Sequence, residues 1–329
     1  MRTDKNNQAF SQIMAKKSEQ GTFKIPVIDF RPLSDPGTVD FQDEHVRKVS
    51  NDICEAFQKV GFAYLKNVGL SKEQVQKVFR VSEDFFALPK EKKSLYTRDS
   101  SSNTGWVALE SERVNPSRPG DLKECYNLVP SKAKIWPNEV PDFQEVMEGF
   151  YAACTEVTLR ILDAISYGLH LEDVGYLRNC HKIAEGKTHT TLRSLYYPPL
   201  TEDTAIKPGQ IRLGEHTDYG SITLLFQDDI GGLEVKCADG QYRQAEPIPD
   251  TVLVNIADML QMWSADKLVS TMHRVLVPEE EVRKKKKRQS VAFFVHPNDD
   301  LILESLDGSG KYPPITALDY LHSKFKSSY

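Results

Sequence analysis

The feature that most constrains the fold is a series of short apolar runs in the second half of the chain. After about residue 189 these runs follow one another between turn-forming Gly, Pro and Asp residues, in the order TLRSLYYPP, SITLLFQ, GGLEVK, TVLVNIA, HRVLVP and SVAFFVHP. Many short strands separated by turns are typical of a β-sandwich or a β-barrel. The second half of the chain is therefore predicted to form a closed or two-layered β core.

The first half of the chain carries helical patterns instead. Apolar residues recur there at helical spacing, and only two short β-prone runs, KIPVIDF and FAYLKNV, interrupt them. Residues 98–121 are rich in Ser, Asn, Pro and Gly and predict a loop region that lines a site. Helices followed by strands predict one α+β unit rather than two domains. The predicted helices cover about residues 42–60, 71–89 and 143–169 and the last residues of the chain.

Composition excludes several classes of function. Hydrophobic residues make up 40% and charged residues 27% of the 329-residue chain, which is enough for a sizeable core. The net charge of −5 argues against a nucleic-acid partner, and the absence of an apolar run of about 18 residues argues against a membrane partner. Five scattered cysteines without a CxxC pair, and an N-terminus without an apolar signal core, predict a cytoplasmic protein with reduced thiols.

Three residues in the predicted β core form a candidate metal site. His216 and Asp218 are two apart in GEHTDYG, so their side chains share one face of an extended backbone, and His273 follows 57 residues later (273 − 216). Alone, the His-x-Asp triplet could equally be a surface turn. Two imidazoles and one carboxylate bind Fe(II) on one face and leave positions open for O2 and a co-substrate.

Arg288 and Ser290 form a second pair with shared orientation. They are two apart in RQSVAFFV, and an Arg at the start of an apolar strand needs an anionic partner because burying its charge alone is costly. A guanidinium and a hydroxyl on one face predict a site for a carboxylate. Catalytic zinc also accepts two His and one Asp, but a zinc hydrolase has no evident use for this pair.

A longer set of motifs runs through most of the chain in order. They are IPVIDF (25–30), GFAYLKNVGL (61–70), FFALPKEKK (85–93), YYPP (196–199), GEHTDYGSITLL (214–225), GGLEV (231–235), VNIADMLQMWS (254–264), MHRV (272–275), RQSVAFFVHP (288–297) and YPPITALDYL (312–321). This set resembles the iron(II)/2-oxoglutarate-dependent oxygenases, in the branch that is similar to isopenicillin N synthase. The resemblance implies a double-stranded β-helix, or jelly-roll, core with flanking N-terminal helices and a C-terminal helix.

The resemblance also implies roles for individual residues. His216, Asp218 and His273 would be the Fe(II) ligands, and Arg288 and Ser290 would bind the distal carboxylate of 2-oxoglutarate. Tyr197 corresponds to a family tyrosine that helps to bind this co-substrate, and Phe294 corresponds to an aromatic residue against the primary substrate. The family's Asn in the same motif is replaced by Leu195, and the nearby Arg193 is the residue expected to substitute for it. Arg193 is also expected, like Phe294, to contact the primary substrate.

The implied function is that of a non-haem Fe(II)- and 2-oxoglutarate-dependent dioxygenase. Such an enzyme hydroxylates a small organic substrate with O2, releases succinate and CO2, and can use ascorbate as a reductant. Two alternatives stay open: an Fe(II) oxidase of the same fold that cyclises or desaturates its substrate without 2-oxoglutarate, and a catalytically silent small-ligand-binding protein. The intact His216, Asp218 and His273 argue against the silent protein. The substrate and the oligomeric state stay open as well.

The same resemblance divides the chain into four regions. These are a polar N-terminal arm (1–24), an N-terminal mostly helical region (25–185), the jelly-roll core (186–299) and a C-terminal helical tail (300–329). The basic run Arg283–Arg288 follows three glutamates whose charge offsets it, so we interpret it as a solvated hairpin turn from which Arg288 points inward.

Overall fold

The structure is a computed structural model that describes residues 24–35, 39–99, 101–132, 135–201, 204–277 and 284–328. All of the predicted polar arm except Lys24 lies outside the described residues. The helices are α1 (Glu44–Lys59), α2 (Lys72–Phe86), α3 (Lys90–Lys93), α4 (Phe143–Gly168), α5 (Tyr176–Asn179), α6 (Asp258–Trp263) and α7 (Ala317–Ser328).

Strands occur in both halves of the chain, and those after residue 189 confirm the predicted series of short strands separated by turns. They are β1 (Val27–Asp29), β2 (Phe62–Lys66), β3 (Gly105–Val107), β4 (Glu124–Leu128), β5 (Thr191–Tyr197), β6 (Leu213–His216), β7 (Ile222–Gln227), β8 (Leu233–Lys236), β9 (Tyr242–Gln244), β10 (Thr251–Ile256), β11 (His273–Val275), β12 (Arg288–Val295), β13 (Ile302–Leu303) and β14 (Ile315–Thr316). The prediction that residues 98–121 form only a loop was wrong at β3. There the buried Trp106 donates a hydrogen bond to Glu124 across 2.6 Å.

Helix boundaries follow from local capping. The Asp43 side chain accepts hydrogen bonds from the first backbone N–H groups of α1, which would otherwise lack a partner. Ser71 and Gln74 form a reciprocal capping box at the start of α2. Within the described part of the chain, no helix is long and apolar enough to cross a membrane.

Two sheets face each other around one cavity, as expected for a jelly roll. The larger sheet has the order β1-β2-β10-β7-β12-β5-β4-β3, and the smaller sheet has the order β6-β11-β8-β9. Strands from both sides of residue 186 belong to the larger sheet, so the N-terminal region extends the core. Side chains from both sheets line the cavity between them.

Helix α4 covers the outer face of the larger sheet. Phe150 and Tyr151 of α4 lie edge-on to Phe226 of β7 and Phe293 of β12, with ring centres 5.1 and 5.0 Å apart. Edge-to-face aromatic pairs add to the hydrophobic stabilisation of such a contact. The main hydrophobic core therefore lies between the helices and the outer face of the larger sheet. This packing supports the sheet at the point where its inner face lines the cavity.

Gly168, the last residue of α4, allows this helix to approach α1. A Cβ atom at this position would lie 2.4 Å from the Cβ of Cys54 in α1. We expect Gly168→Ala to lower the free energy of unfolding by about 1–3 kcal/mol because the helices would have to separate. Chemical denaturation would measure the change. Gly149→Ala in the same helix, where a Cβ meets nothing within 4 Å, is the control and should lose no stability; equal losses would contradict the close-packing explanation.

Candidate metal centre

The pairing of β6 with β11 brings two predicted metal ligands together. His216 and His273 are direct partners in this antiparallel pair, and their ring centres lie 4.3 Å apart. On the opposite face of the same strands, Arg274 donates to Glu215 at 3.2 Å and to Glu234 at 2.8 Å. Because neighbouring residues of a strand point to opposite faces, these ion pairs stabilise the register that aligns the histidines.

Asp218 completes the group just beyond the end of β6. One of its carboxylate oxygens, Oδ1, lies 3.7 Å from the Nε2 atom of each histidine. The other oxygen, Oδ2, accepts hydrogen bonds from the Thr223 hydroxyl and the Asn255 amide, both at 2.7 Å. The carboxylate is thus held by one oxygen, and the other is directed between the two imidazoles.

The tautomers of both histidines suit a metal ion. The Nδ1 atom of His216 lies 2.8 Å from the Gly214 carbonyl, and that of His273 lies 3.0 Å from the Thr271 carbonyl. A carbonyl oxygen can only accept, so Nδ1 carries the proton and a neutral ring presents the lone pair of Nε2. The three candidate ligand atoms lie within 4.8 Å of one another. This donor set fits Fe(II).

Electrostatics favour a divalent cation at this point. Burial opposes ionisation of Asp218, but the two histidines and its hydrogen bonds outweigh burial and hold the pKa of Asp218 below its usual value. Burial and the neighbouring His273 lower the pKa of His216 to about 4. At pH 7 the carboxylate of Asp218 is therefore ionised and the imidazole of His216 is neutral. This pair attracts a cation, and no proton competes for the imidazole nitrogen.

An inner cavity extends from this centre into the jelly roll. Arg288 lies at its end, 1% exposed, and donates to the Gly231 carbonyl at 2.8 Å and to the Ser290 hydroxyl at 3.4 Å. Its guanidinium lies over the Tyr197 ring, 4.8 Å from the ring centre. The structure thus brings together the three residues predicted to bind the co-substrate. No carboxylate of the described residues lies within ion-pair distance of Arg288, and Asp228 acts on it only from farther away, so this buried cation suits an incoming anion.

A second, outer cavity opens on the other side of the centre. His216 and Asp218 line both cavities, as do Leu195, Leu213 and Phe294, whereas His273 lines only the inner one. The outer cavity has a volume of about 100 Å³, and since one water needs roughly 10–15 Å³ it admits a small molecule. Its remaining lining residues are Asn103, Val114, Lys123, Thr191, Arg193, Thr217, Tyr219, His296, Leu321 and Phe325.

Arg193 lies on the outer cavity and not on the inner one. Its Nε donates to the Asn127 amide oxygen at 2.7 Å, and its guanidinium lies 5.7 Å from the centre of the Phe294 ring. The expectation that Arg193 replaces the family Asn beside the co-substrate is therefore not met by this geometry. Its predicted contact with the primary substrate, like that of Phe294, stays a prediction that the geometry allows.

Sequence reasoning missed a buried ion cluster on the wall of the outer cavity. The Lys123 ammonium lies 2.7 Å from Glu112, which also accepts two hydrogen bonds from Arg193 at 3.3 Å. Burial opposes the charge of Lys123, but Glu112, Cys125 and Asp121 together outweigh burial and raise the pKa of Lys123. Glu112 and Lys123 lie in or next to the segment predicted as a loop, where no periodicity identified them.

The remaining histidines and the basic run have other placements. His181 is buried and bonded to the Leu177 carbonyl at 2.6 Å and to the Ser221 hydroxyl at 2.7 Å, which agrees with a packing role. His296 lines the outer cavity. In the basic run, Arg283 lies outside the described residues and Lys287 pairs with Glu83, whereas Arg288 is buried.

Two family models match the chain. Residues 25–144 match the model described as non-haem dioxygenase in morphine synthesis N-terminal, and residues 188–297 match the 2OG-Fe(II) oxygenase superfamily. The second match contains His216, Asp218 and His273 as well as Arg288 and Ser290.

Individual proteins are similar over most of their length. The chain is 35% identical over 285 residues to the 2-oxoglutarate-dependent dioxygenase htyE of Aspergillus rugulosus, covering 78% of this chain and 83% of the relative. It is 30% identical to the proline hydroxylase buaE of Petromyces alliaceus, covering 83% and 91%. A Neurospora crassa protein, whose full-length crystal structure was solved in complex with alpha-KG and thymine, is 34% identical, with a TM-score of 0.82 and coverage of 94% and 98%.

The hydroxyl of Thr223 provides a test of how the carboxylate of Asp218 is held. We expect Thr223→Val to weaken Fe(II) affinity by roughly 10- to 100-fold, because loss of an outer hydrogen bond frees the carboxylate to rotate. Anaerobic Fe(II) titration would measure the affinity. Thr223→Ser keeps the hydroxyl and should bind Fe(II) nearly as the unchanged protein does; equal weakening by both substitutions would contradict the explanation.

Proposed function

Since the chain belongs to the 2OG-Fe(II) oxygenase superfamily, we propose that His216, Asp218 and His273 bind its catalytic Fe(II) and that the inner cavity binds 2-oxoglutarate. The protein is an Fe(II)/2-oxoglutarate-dependent dioxygenase. The observation that carries the assignment of residues is the convergence of two Nε2 atoms and one carboxylate oxygen at the junction of two cavities. One cavity ends in a cation that pairs with no carboxylate of the described chain, and the other is open to a second small molecule.

When bound, Fe(II) and 2-oxoglutarate supply the oxidation of a substrate C–H bond by O2, with release of succinate and CO2. The residues of the chain bind and orient the reactants. Arg288 and Ser290 bind the distal carboxylate of the co-substrate, and Tyr197 packs beside it. Apolar residues between Arg288 and the metal centre, among them Leu225 and Val275, exclude water from the inner cavity.

The oxidase and the silent binding protein are less well supported. The Neurospora crassa relative was solved with alpha-KG bound, and htyE is a 2-oxoglutarate-dependent dioxygenase, which supports 2-oxoglutarate as the co-substrate here. In a catalytically silent protein, three converging metal ligands would have no function. Here the tautomer of each histidine and the carboxylate of Asp218 are fixed by separate hydrogen bonds. We therefore retain hydroxylation as the proposed reaction, with ascorbate as an optional reductant.

We further propose that the primary substrate is a planar, carbonyl-bearing ring. The Neurospora crassa relative is described in complex with thymine, and buaE is a proline hydroxylase. The outer cavity favours the planar ligand because Phe294, Tyr219 and Phe325 give it aromatic walls, against which flat rings stack. Asn103 and Arg193 add side-chain N–H groups, which match carbonyl oxygens.

The cytoplasm is the proposed location. All five cysteines are free, and four of them are buried, so none of the fold depends on a disulfide. Free thiols of this kind persist in a reducing compartment.

Loss of the Arg288 charge tests the co-substrate site. We expect Arg288→Gln to raise the KM for 2-oxoglutarate by roughly 10- to 100-fold, because a charged hydrogen bond to the distal carboxylate is lost. The KM for the primary substrate should change much less, as measured by succinate release. The neighbouring Lys287→Gln removes a surface charge and is the control. A similar rise in both KM values for Arg288→Gln would indicate that the protein is an oxidase, or that Arg288 does not bind the distal carboxylate of 2-oxoglutarate.

The aromatic wall of the outer cavity tests the substrate class. Succinate release should be stimulated by thymine or a related planar ring more than by proline. Phe325 lines only the outer cavity, so Phe325→Ala should raise the KM for the ring substrate by about 2- to 10-fold through lost aromatic contact and leave the KM for 2-oxoglutarate unchanged. Ser323→Ala, exposed on the same helix, is the control. Stimulation by proline alone would contradict the proposal.

A further inference from the structure

Arg212 is a buried cation for which the described residues provide almost no partner. Its side chain is 0% exposed, and neither Nε nor Nη1 has a hydrogen-bond partner among those residues. The third nitrogen, Nη2, makes one long hydrogen bond of 3.4 Å to the Lys286 carbonyl. A buried guanidinium without an anion is costly, so its presence beside the proposed co-substrate site requires an explanation.

Tyr197 connects Arg212 to this site. The guanidinium carbon of Arg212 lies 5.9 Å from the centre of the Tyr197 ring, and that of Arg288 lies 4.8 Å from the same ring. Tyr197 and Arg288 line the inner cavity, but Arg212 does not. Arg212 therefore lies behind the wall, where it can hold the tyrosine ring by a cation–π contact and add its positive charge to that of Arg288.

The charges at this end of the inner cavity do not balance. Burial and the neighbouring Arg288 lower the pKa of Arg212 to about 10, so its guanidinium keeps its charge at pH 7. Asp228 is an acid that interacts with both arginines, and its carboxylate accepts backbone N–H groups of Ile230, at 3.1 Å, and Gln289, at 2.5 Å. Asp229, next to Asp228, is exposed to solvent. Among the groups shielded from water, Arg212, Arg288 and Asp228 therefore leave one positive charge, which one further carboxylate would neutralise.

We infer that Arg212 is a positioning residue for the distal carboxylate of 2-oxoglutarate, acting through the Tyr197 ring and through its charge beside Arg288. The inference rests on the proposed function, because it needs the co-substrate in the inner cavity. Leu195, on the cavity wall, has an apolar side chain that donates no hydrogen bond to a ligand, and the charge of Arg212 compensates for this loss. Arg212 thus takes the supporting role expected for Arg193, and it does so by long-range attraction rather than contact.

A comparison of two keto acids isolates this effect. 2-Oxopentanoate has the keto acid end of 2-oxoglutarate but a methyl group in place of the distal carboxylate. The Fe(II)-loaded protein would be titrated anaerobically with each, and binding followed by the charge-transfer absorption. We expect Arg212→Leu to weaken binding of 2-oxoglutarate by roughly 10- to 100-fold, because the attraction between its charge and the distal carboxylate is lost, and to leave binding of 2-oxopentanoate unchanged. Arg212→Lys, which keeps the charge, should recover most of the affinity.

Thermal unfolding with and without each keto acid gives a second readout that needs no turnover. The stabilisation by 2-oxoglutarate should fall in Arg212→Leu, whereas that by 2-oxopentanoate should not. Equal loss of affinity for both acids would show that Arg212 only maintains the fold, which overturns the inference. Unchanged affinity for both would overturn it as well.

The same titrations on Arg288→Gln separate this inference from the proposed function. If Arg288→Gln reduces the preference for 2-oxoglutarate and Arg212→Leu does not, the inference fails while the co-substrate site stands. If neither substitution changes that preference, the inner cavity does not bind the distal carboxylate and both proposals fail. If both reduce it, the two guanidinium groups act on the same carboxylate.

Discussion

The antiparallel register of β6 and β11 is the constraint on which the metal centre depends. It sets His216 opposite His273, and a slip by one residue would turn one imidazole to the other face of the sheet. Ion pairs from Arg274 to Glu215 and Glu234 stabilise this register on the far side. An arginine from the N-terminal half, Arg118, also binds Glu215 at 2.6 Å. The helical half of the chain thus helps to hold the ligand strands in place.

Features of the site could be predicted from the sequence where the residues involved lie close together along the chain. The two-residue spacing of His216 with Asp218 and of Arg288 with Ser290 placed each pair on one face of a strand, because strand periodicity is local. The supports of Asp218 could not be predicted in this way, since Asn255 comes from another strand 37 residues later (255 − 218). The place of Arg212 could not be predicted either, because the register shift between Leu213 and His216 breaks the alternation of side chains that leads up to His216.

Buried charge explains why β4 of the larger sheet escaped prediction, although the β-prone runs of β1 and β2 were recognised. Strand β4 reads ECYNL, which lacks the apolar alternation of a typical strand. Its first residue, Glu124, is nevertheless buried, because Lys93 binds it at 2.8 Å and Trp106 donates to it at 2.6 Å. A carboxylate with two such partners can occupy an interior position, and local composition carries no record of partners that lie 31 and 18 residues away.

The two cavities meet at Asp218, but their walls come from different parts of the chain. Residues that line only the outer cavity include Asn103 and Lys123 before the jelly roll and Leu321 and Phe325 in the last helix. Those segments can diverge between gene duplicates without altering any residue assigned to Fe(II) or 2-oxoglutarate. Leu195, Leu213 and Phe294 are the exceptions, because they line both cavities. A lineage that acquires a new substrate can therefore change its peripheral segments freely, whereas these three residues remain subject to two selective pressures at once.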